Sequence, residues 1–421
     1  MAGRVRTTLL LALLALCVVP GAAHAADPPD PGVTQSFEFD SGGAAFPYIV
    51  YTPTSYSRAH PAPLLVMVHG CQTTAEQQMR ANLYNQLAER EGFVVMYPDI
   101  DESGTMQPGP LRNCWRFPTP QSWHRDGGDA AAIAGMTRAT IDRFKTDPER
   151  TYLEGMSAGG FMTSILAAAY PDLYAAVGIN AAGAYADSGC LFGNPGMPVE
   201  TSAQLAREEM GPRARIVPRI VSGGDADAGI SPPCADKALD QGLRTNNLVL
   251  GDSQDGPISL KPASVREEPA PPGRYGSTVS TYRDPAGCVI GERWLIHGMN
   301  HFWPGGSSDP QWANFTDPKG PSGAELTWRF LSRYTKSATA MPCAEAPVVP
   351  SCRARWLRLS FRARSVRATV NGRRVSARVK RGRPLVRLPG GARTRTVVAM
   401  SGRKSSGRHY STRRVYKGCG P

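Results

Sequence analysis

The sequence predicts an α/β protein with a mostly parallel sheet covered by helices on both faces, followed by a small C-terminal all-β module. Over residues 46–334, apolar runs typical of strands buried on both faces alternate with helical stretches. From residue 352 onward, apolar and polar residues alternate in short strands instead. The charge changes there too: residues 352–421 contain 21 Lys and Arg and no Asp or Glu, whereas residues 26–351 contain 25 basic and 35 acidic residues.

The α/β part is predicted from a series of strands and helices. The predicted strands are Tyr48–Pro53, Leu64–Gly70, Phe93–Asp99, Thr151–Ser157, Ala175–Gly183, Pro218–Asp227 and Glu292–His301. The predicted helices are Thr74–Glu91, Gly128–Phe144, Gly159–Tyr170 and Ser322–Tyr334. We expect Gly251–Gly276, which is rich in Pro, Gly and charge, to form a surface excursion. In a parallel sheet the residues just beyond the carboxyl ends of the strands share one edge, where function is expected.

The N-terminal residues predict export. Arg4 and Arg6 precede the apolar run Leu9–Val19, and Ala23-His24-Ala25 fits a small-x-small cleavage site. The apolar run is too short to span a bilayer, and no later stretch is long enough. We therefore interpret residues 1–25 as a secretory signal peptide, with an uncleaved anchor as the alternative, and expect an extracellular protein.

Composition then divides the rest of the chain. Residues 26–338 are predicted as the α/β catalytic domain, residues 339–351 as a linker, and residues 352–421 as an Arg-rich β module.

Eight cysteines follow the predicted signal peptide, and an even number in an oxidising compartment predicts disulfides. None of them has CxxC or His-rich metal spacing, so no metal site is expected. No cofactor is expected either.

Ser157 is the candidate nucleophile. It occupies the centre of a Gly-x-Ser-x-Gly pentapeptide between a predicted strand and a predicted helix, which is the context of a nucleophile elbow. Such a turn needs small neighbours, and Gly155, Ala158, Gly159 and Gly160 satisfy this. The backbone N–H groups at the start of the helix would favour negative charge developing near the serine oxygen.

A base and an acid follow Ser157 in the order that such a triad uses, acid first. Asp225 and Asp227 come just after one predicted strand, and His297 and His301 come at the end of the last. The pattern itself leaves open which member of each pair is used.

An oxyanion hole needs two fixed N–H donors. Ala158, directly after the nucleophile, supplies one candidate. The segment His69–Thr74 follows a buried strand and offers the N–H of Cys71 as the other. The competing interpretation of His69-Gly70 is a plain tight turn.

Several motifs in one order make the chain similar to a known family. It resembles the extracellular polyhydroxybutyrate depolymerase-like esterases, an α/β-hydrolase group with feruloyl and acetylxylan esterase relatives. The resemblance spans Phe46–Tyr334 and is carried by His69–Cys71 (HGC), Asn113–Trp115 (NCW), Gly155–Gly160 (GMSAGG), Tyr170–Ala176 (YPDLYAA), Gly224–Asp227 (GxxD) and Gly298–Gly306 (GMNHFWPGG).

The resemblance implies the α/β-hydrolase fold, with Ser157 as nucleophile, Asp227 as orienting acid, His301 as base and Cys71 in the oxyanion hole. Asn300 stands before the base where the family usually has Gly. Trp115 and Trp303, which lie within the shared motifs, are candidate residues of the substrate cleft.

The predicted disulfides follow from these motifs and from the order of the elements. Cys71 and Cys114 lie in shared motifs beyond strand ends on the catalytic edge, and we expect them to pair. Cys288 and Cys343 are expected to meet where the last helix returns to the start of the last strand, which leaves Cys190 and Cys234 to each other. Cys352–Cys419 would join the two ends of the β module.

The β module is predicted to contain a hairpin with an Asn371-Gly372 turn, which would pair Ala368 with Val375 and Val366 with Ala377. One face would then be apolar and the arginines would lie outside. Such a surface suits an anionic partner, namely a wall polymer or other envelope surface, phospholipid or nucleic acid. The alternatives are a depolymerase-type polymer-binding domain and a solubilising cap with no ligand.

Together, these observations predict a secreted serine ester hydrolase that cleaves short-chain hydroxyalkanoate or related esters, including polyesters, through an acyl-enzyme. One alternative is a feruloyl or acetylxylan esterase acting on plant cell-wall polysaccharide. An alternative of another class is a non-catalytic envelope-binding protein with a hydrolase fold.

Overall fold

A computed structural model describes residues 30–191, 194, 196–251 and 253–337, and in the C-terminal part residues 351–352, 355–358, 361–370, 373–388, 391–392 and 395–417. The predicted signal peptide, all but the last residue of the predicted linker, Cys343, Cys419 and the Asn371-Gly372 turn lie outside the described residues. None of the helices in the described ranges is long and apolar enough to cross a membrane.

A single ten-stranded sheet forms the centre of the α/β part. Its strands are β1 (Val33–Ser41), β2 (Ala44–Thr52), β3 (Leu64–Val68), β4 (Val94–Pro98), β5 (Thr151–Met156), β6 (Val177–Asn180), β7 (Arg219–Gly224), β8 (Ser264–Glu268), β9 (Ser277–Arg283) and β10 (Val289–Ile296). They are arranged in the order β1-β2-β4-β3-β5-β6-β7-β10-β9-β8. Neighbouring strands from β4 to β10 in this order pair in parallel. The pairs toward the two edges, β1-β2, β2-β4, β10-β9 and β9-β8, are antiparallel.

Helices cover both faces, as predicted. They are α1 (Ala75–Asn82), α2 (Tyr84–Glu91), α3 (Glu102–Thr105), α4 (Gly128–Phe144), α5 (Ala158–Ala169), α6 (Val199–Met210), α7 (Pro232–Leu250) and α8 (Gly323–Leu331). The all-apolar sequence of β3 fits this arrangement, because Leu64, Val66 and Val68 join the core with α4, α5 and α7, whereas Leu65 and Met67 join the core with α1, α2 and α8.

The structure differs from the sequence-based elements in several places. The predicted helix over residues 74–91 is two helices, because Leu83 between α1 and α2 has a left-handed backbone (φ 62°). The predicted surface excursion contains β8, an exposed edge strand. The antiparallel strands β1 and β9 and the helices α3, α6 and α7 were not predicted.

The C-terminal module consists of short antiparallel strands. After the parallel pair β11 (Trp303–Pro304) and β12 (Thr316–Asp317), the chain forms β13 (Ser351–Cys352), β14 (Arg355–Arg358), β15 (Arg367–Val370), β16 (Arg373–Val375), β17 (Ala377–Lys380), β18 (Arg383–Leu388), β19 (Gly391–Ala392), β20 (Arg395–Arg403) and β21 (His409–Lys417). They build a three-stranded sheet (β14-β18-β17), a four-stranded sheet (β16-β15-β20-β21) and the pair β13-β19.

The hairpin prediction for the module is half right. Ala368 pairs with Val375 as expected. Val366 and Ala377 do not pair, because the chain passes from one sheet to the other at Ser376 and Ala377 pairs with Val386. The module has its own apolar core, and every described Lys and Arg side chain from residue 362 to residue 413 is exposed.

Candidate active site

Ser157 occupies a sharp turn between β5 and α5. Its backbone has φ 55° and ψ −121°, a conformation that non-glycine residues rarely adopt. A Cβ atom on Gly155 would lie 2.2 Å from the carbonyl oxygen of Gly159, and one on Gly159 would lie 2.2 Å from that of Val68. The glycines that flank Ser157 are therefore required for the close approach of β3, β5 and α5.

Three side chains from three different loops meet at this turn. Nε2 of His301 lies 3.0 Å from Oγ of Ser157, and Nδ1 of His301 lies 2.8 Å from Oδ2 of Asp227. The Asp227 side chain is 1% exposed and that of His301 is 27% exposed. The Asp227 end of this hydrogen-bond chain is thus shielded from water, whereas the His301 ring in its middle is partly accessible.

Backbone amides fix the Asp227 carboxylate. Its Oδ1 accepts hydrogen bonds from the N–H groups of Gly229 (2.9 Å) and Ile230 (2.8 Å). Oδ2 is then left to face His301. This division of the two oxygens sets the position of the imidazole ring.

Asn300 has a role that the sequence did not indicate. Its Oδ1 accepts hydrogen bonds from the N–H of His301 (2.8 Å) and from the N–H of Ala228 (3.4 Å). The side chain therefore joins the loop that carries His301 to the loop that carries Asp227, in a way that a glycine could not.

The other two candidates form a separate pair. Nδ1 of His297 lies 2.9 Å from Oδ2 of Asp225, and Oδ1 of Asp225 accepts a hydrogen bond from the N–H of Gly298. Burial raises the pKa of Asp225, but these contacts outweigh it and the net pKa lies below the usual value. The structure brings Asp227 and His301 to Ser157, and it does not bring Asp225 and His297 there.

The loop after β3 passes directly beside the nucleophile. A Cβ atom on Gly70 would lie 3.2 Å from Cβ of Ser157. The carbonyl oxygen of Gly70 faces Nδ1 of His69 (2.7 Å) and accepts a hydrogen bond from the Thr73 hydroxyl (2.8 Å). In a trans peptide the N–H points away from the preceding carbonyl, so these contacts also fix the direction of the Cys71 N–H.

Asp99, at the end of β4, is a functional candidate that sequence reasoning missed. Its Oδ1 lies 3.1 Å from Nε2 of His69, whose side chain is completely buried. Burial raises the pKa of Asp99, but hydrogen bonds from His69 and from the amides of Ala75 and Ile100 outweigh it, so the pKa lies below its usual value. The one available signal was its place just beyond a buried strand.

Two of the predicted cysteine pairs are disulfides in the structure, Cys71–Cys114 and Cys190–Cys234. The first joins the loop after β3 to the NCW segment. Cys288 is also disulfide-bonded, but its predicted partner Cys343 lies outside the described residues. The same holds for Cys419, so Cys288–Cys343 and Cys352–Cys419 stay predictions.

Neither predicted cleft tryptophan has an open face. Trp115 and Trp303 are each 1% exposed. Trp115 packs against the His69 ring and donates a hydrogen bond to the His69 carbonyl oxygen. Trp303 packs against Tyr84 and lines a cavity of only about 20 Å³. In this structure neither side chain has the exposed surface that a cleft-lining residue needs.

An open hollow of about 460 Å³ lies next to the Cys71–Cys114 disulfide. The backbone N–H of Gln72 donates a hydrogen bond to the carbonyl oxygen of Arg112 (2.7 Å), which holds its two walls together. Polar side chains dominate its lining, which consists of Gln72, Thr74, Gln77, Gly109, Arg112 and Asn113.

A buried carboxyl group lies behind the nucleophile. Glu154, three residues before Ser157 on β5, accepts hydrogen bonds from the hydroxyl groups of Tyr84 and Thr327. Burial raises the pKa of Glu154 to about 8, although both hydrogen bonds act against it. Within the described ranges, no group of three His, Cys, Asp or Glu side chains is arranged to hold a metal ion.

The chain is similar to known esterases. Residues 46–253 match the family model described as "Esterase PHB depolymerase". Acetylxylan esterase A of Emericella nidulans is 35% identical over 166 residues, which are 39% of this chain and 50% of the relative. Feruloyl esterase B of Thermothelomyces thermophilus is 30% identical over 236 residues, which are 52% of this chain and 77% of the relative.

A solved structure supports the same fold. The acetyl xylan esterase from Aspergillus awamori superposes with a TM-score of 0.51 and 21% sequence identity, covering 64% of this chain and 94% of that one. At this identity the similarity concerns the fold alone. The chain spans about half the length of the first acetylxylan esterases that it matches in sequence.

Proposed function

The chain belongs to the Esterase PHB depolymerase family, and on that premise we propose that it is a carboxylic ester hydrolase with Ser157 as its nucleophile. The observation that carries the proposal is the continuous hydrogen-bond chain from Ser157 through His301 to Asp227 at a strained strand-to-helix turn. A serine hydroxyl needs an adjacent base to attack an ester, and the base needs a partner that orients it.

In the proposed mechanism, Nε2 of His301 accepts the Ser157 hydroxyl proton while Oγ forms a bond to the ester carbonyl carbon. The carbonyl oxygen takes the negative charge. The tetrahedral intermediate collapses, the bond to the alcohol oxygen breaks, and His301 returns the proton to the leaving alcohol. Water, deprotonated by His301 in turn, attacks the acyl-enzyme and releases the acid and free Ser157.

Two backbone groups are proposed to stabilise the oxyanion. Ala158 is the first residue of α5, and the first N–H groups of a helix have no intrahelical acceptor. The Cys71 N–H belongs to the peptide that His69 and Thr73 hold beside Ser157. Fixed donors of this kind stabilise a charge that develops only during the reaction.

Asp227 is proposed to act on His301 alone. Because its Oδ2 faces Nδ1 of His301, it favours the tautomer with the proton on Nδ1, which leaves the lone pair of Nε2 free for Ser157. Once His301 is protonated, the buried carboxylate stabilises the resulting cation.

We favour an ester of a hydroxyl-rich alcohol, such as an acylated sugar, over a polyester as the substrate. The hollow beside the Cys71 loop is bordered by amide, hydroxyl and guanidinium groups, which hydrogen-bond sugar hydroxyls but give little to the methyl groups of polyhydroxybutyrate. Relatives named for acetylxylan and feruloyl esters support this choice. Short-chain hydroxyalkanoate esters are the second candidate, because the family is described by that activity.

We also propose that the protein is exported and that its C-terminal module binds an anionic polymer or envelope surface. The N-terminal signal pattern and the disulfides support export. The exposed Lys and Arg side chains of the module, in a segment without Asp or Glu, support an anionic partner.

Ser157→Ala tests the proposed activity. The purified protein is assayed on p-nitrophenyl acetate, methyl ferulate, acetylated xylan and emulsified polyhydroxybutyrate. We expect the variant to lose on the order of 10⁴-fold or more of its turnover on any accepted ester while its circular dichroism and melting temperature stay those of the wild type. A variant that keeps a tenth of the wild-type rate would exclude Ser157 as the nucleophile.

A further inference from the structure

The three-stranded sheet β14-β18-β17 has one face in the core of the module and one face outside. Leu357, Val386 and Ala377 lie opposite one another across the three strands, and they pack into the module's apolar core. Side chains alternate along a strand, so the neighbours of these residues point outward. Trp356, Arg378 and Arg387, each next to one member of this row, are all exposed.

These three outward residues form a cluster. Trp356 pairs across strands with Arg387, and its side chain lies 39% exposed. The guanidinium carbon of Arg378, from the other edge strand, lies 4.6 Å from the centre of the Trp356 ring. The aromatic ring and two guanidinium groups thus share one patch. Arg383 and Lys380 continue the positive charge further along the same two strands, since they lie opposite each other and are exposed.

No carboxylate of the module can neutralise this patch. Residues 352–421 contain no Asp or Glu, so the arginines that flank Trp356 have no acidic partner within their own segment. Stacking on an indole fixes the plane of a guanidinium while its N–H groups stay free to donate at the edge. A planar carboxylate is the acceptor that fits such a fork, with two parallel hydrogen bonds.

We propose that this face is a binding site for a polysaccharide that carries carboxylates, such as a uronic-acid polymer. Trp356 would pack against a sugar ring, and Arg378 and Arg387 would bind the carboxylates. Single-stranded nucleic acid is less suitable, because proteins that bind it stack successive bases on a series of aromatic rings. Trp356 is the one exposed large aromatic among the module residues whose side chains the structure describes, since Phe361 and Tyr410 pack against each other and the core.

The inference rests on the proposed anionic partner of the module and gives it a site and a ligand class. It is independent of the proposed hydrolysis, and every protein in the test is therefore also assayed on p-nitrophenyl acetate. A variant that loses binding but keeps its rate of hydrolysis is affected only at the proposed binding face. Absence of hydrolysis in the wild type would overturn the proposed activity and leave the binding result intact.

The experiment compares full-length variants for binding to polygalacturonate at low ionic strength. Arg378→Lys/Arg387→Lys keeps the net charge but removes both planar forks, and Trp356→Ala removes the ring. The control is Arg403→Lys/Arg408→Lys, which changes two exposed arginines of the hairpin formed by β20 and β21 in the same way. Neutral xylan and an oligodeoxynucleotide are the comparison ligands.

We expect the Arg378/Arg387 variant and the Trp356 variant each to bind polygalacturonate about tenfold more weakly, as loss of a charged hydrogen-bond pair or a stacking contact predicts, and the control to stay within about twofold. Melting temperatures equal to that of the wild type exclude misfolding as the cause. Equal loss in the control would overturn the site in favour of diffuse charge. Tighter binding to the oligodeoxynucleotide than to polygalacturonate would overturn the ligand class.

Discussion

Nε2 of the buried His69 side chain lies 3.1 Å from Oδ1 of Asp99, while the other ring nitrogen of His69 faces the carbonyl oxygen of Gly70. The pair does not touch Ser157. It acts on the peptide that lies beside Ser157, the one whose N–H is proposed for the oxyanion hole. We therefore propose that this second aspartate and histidine are positioning residues, which would support the reaction indirectly.

Asp99→Asn should therefore lower kcat and leave KM nearly unchanged, because a misaligned donor affects the transition state more than the bound ester. Loss of one oxyanion donor costs about 10²–10³-fold, so we expect about 10-fold to 100-fold for a donor that is only loosened. Steady-state kinetics on p-nitrophenyl acetate measure both constants. The control is Asp187→Asn, which also removes a buried paired carboxylate. A similar fall in kcat in both variants would mean a general loss of structure.

Asp227→Asn should be far more damaging than Asp225→Asn. Asp227 faces the base, and an amide there favours the wrong tautomer of His301, which costs on the order of 10⁴-fold in a comparable triad. Asp225 is paired with His297 instead, so its replacement should stay within about threefold, the scale of a surface substitution. The ratio of the kcat/KM values of the two variants tests this ranking, and the reverse ranking would exclude Asp227 as the orienting acid.

The sequence predicts that Ser157, Asp227 and His301 lie close together, because a parallel sheet brings the ends of its strands to one edge. Ser157, Asp227 and His301 all follow strands in the expected order, and the elbow glycines identify the first of them. Asp99 also follows a strand, but a single aspartate after a strand carries no sign of its partner. From its local sequence His69 is predicted only as part of a turn, because its contacts come from the residue after β4 and from the NCW segment.

Other differences come from tertiary context. Nothing in the local pattern separates one long helix over residues 74–91 from two helices joined at Leu83, a leucine with a left-handed backbone. The Asn-Gly turn predicts the pair Ala368–Val375 correctly because a two-residue turn fixes the register nearby. It does not predict where the strand leaves one sheet for the other, and so Ala377 pairs with Val386. Trp115 and Trp303 were assigned by their neighbours in sequence, whereas burial depends on residues from distant loops.

Removing the Cys71–Cys114 disulfide should reduce catalysis as well as stability. Cys190–Cys234 is a matched control, because the two bridges span 43 and 44 residues and so restrict the unfolded chain equally. Each double Cys→Ala variant should lose about 4 kcal/mol of unfolding free energy by loop-closure entropy. The variant without Cys71–Cys114 should show the larger fall in kcat, because this bridge anchors the loop of the proposed oxyanion donor. Equal values of kcat in the two double variants would mean that the Cys71–Cys114 bridge has no specific catalytic role.

Glu154→Gln should raise stability at alkaline pH. Because burial raises the pKa of Glu154 from 4.5 to about 8, the folded protein holds a proton that the unfolded chain releases. This group's contribution to stability is therefore complete below pH 4.5, declines between pH 4.5 and about 8, and is lost above. Glutamine keeps a donor and an acceptor for Tyr84 and Thr327 without titrating. The gain in melting temperature should be larger at pH 8.5 than at pH 5, whereas Glu38→Gln, on the exposed face of β1, should show no such trend.

A chain truncated after Val349 should keep the catalytic constants of the full-length protein on soluble esters. The residues of the proposed site all lie between His69 and His301, and the apolar core of the module shares no residue with the two cores that enclose the large sheet. The truncation removes 21 basic residues and no acidic one, so binding to an anionic polymer should disappear with the module. For the full-length protein that binding should weaken steeply with salt, because electrostatic screening shortens to about 3 Å at 1 M ionic strength. A large fall in kcat/KM on p-nitrophenyl acetate would show that the module contributes to the active site. Binding that persists at 1 M salt, or that is equally strong in the truncated chain, would exclude the charge of the module as the cause of the binding.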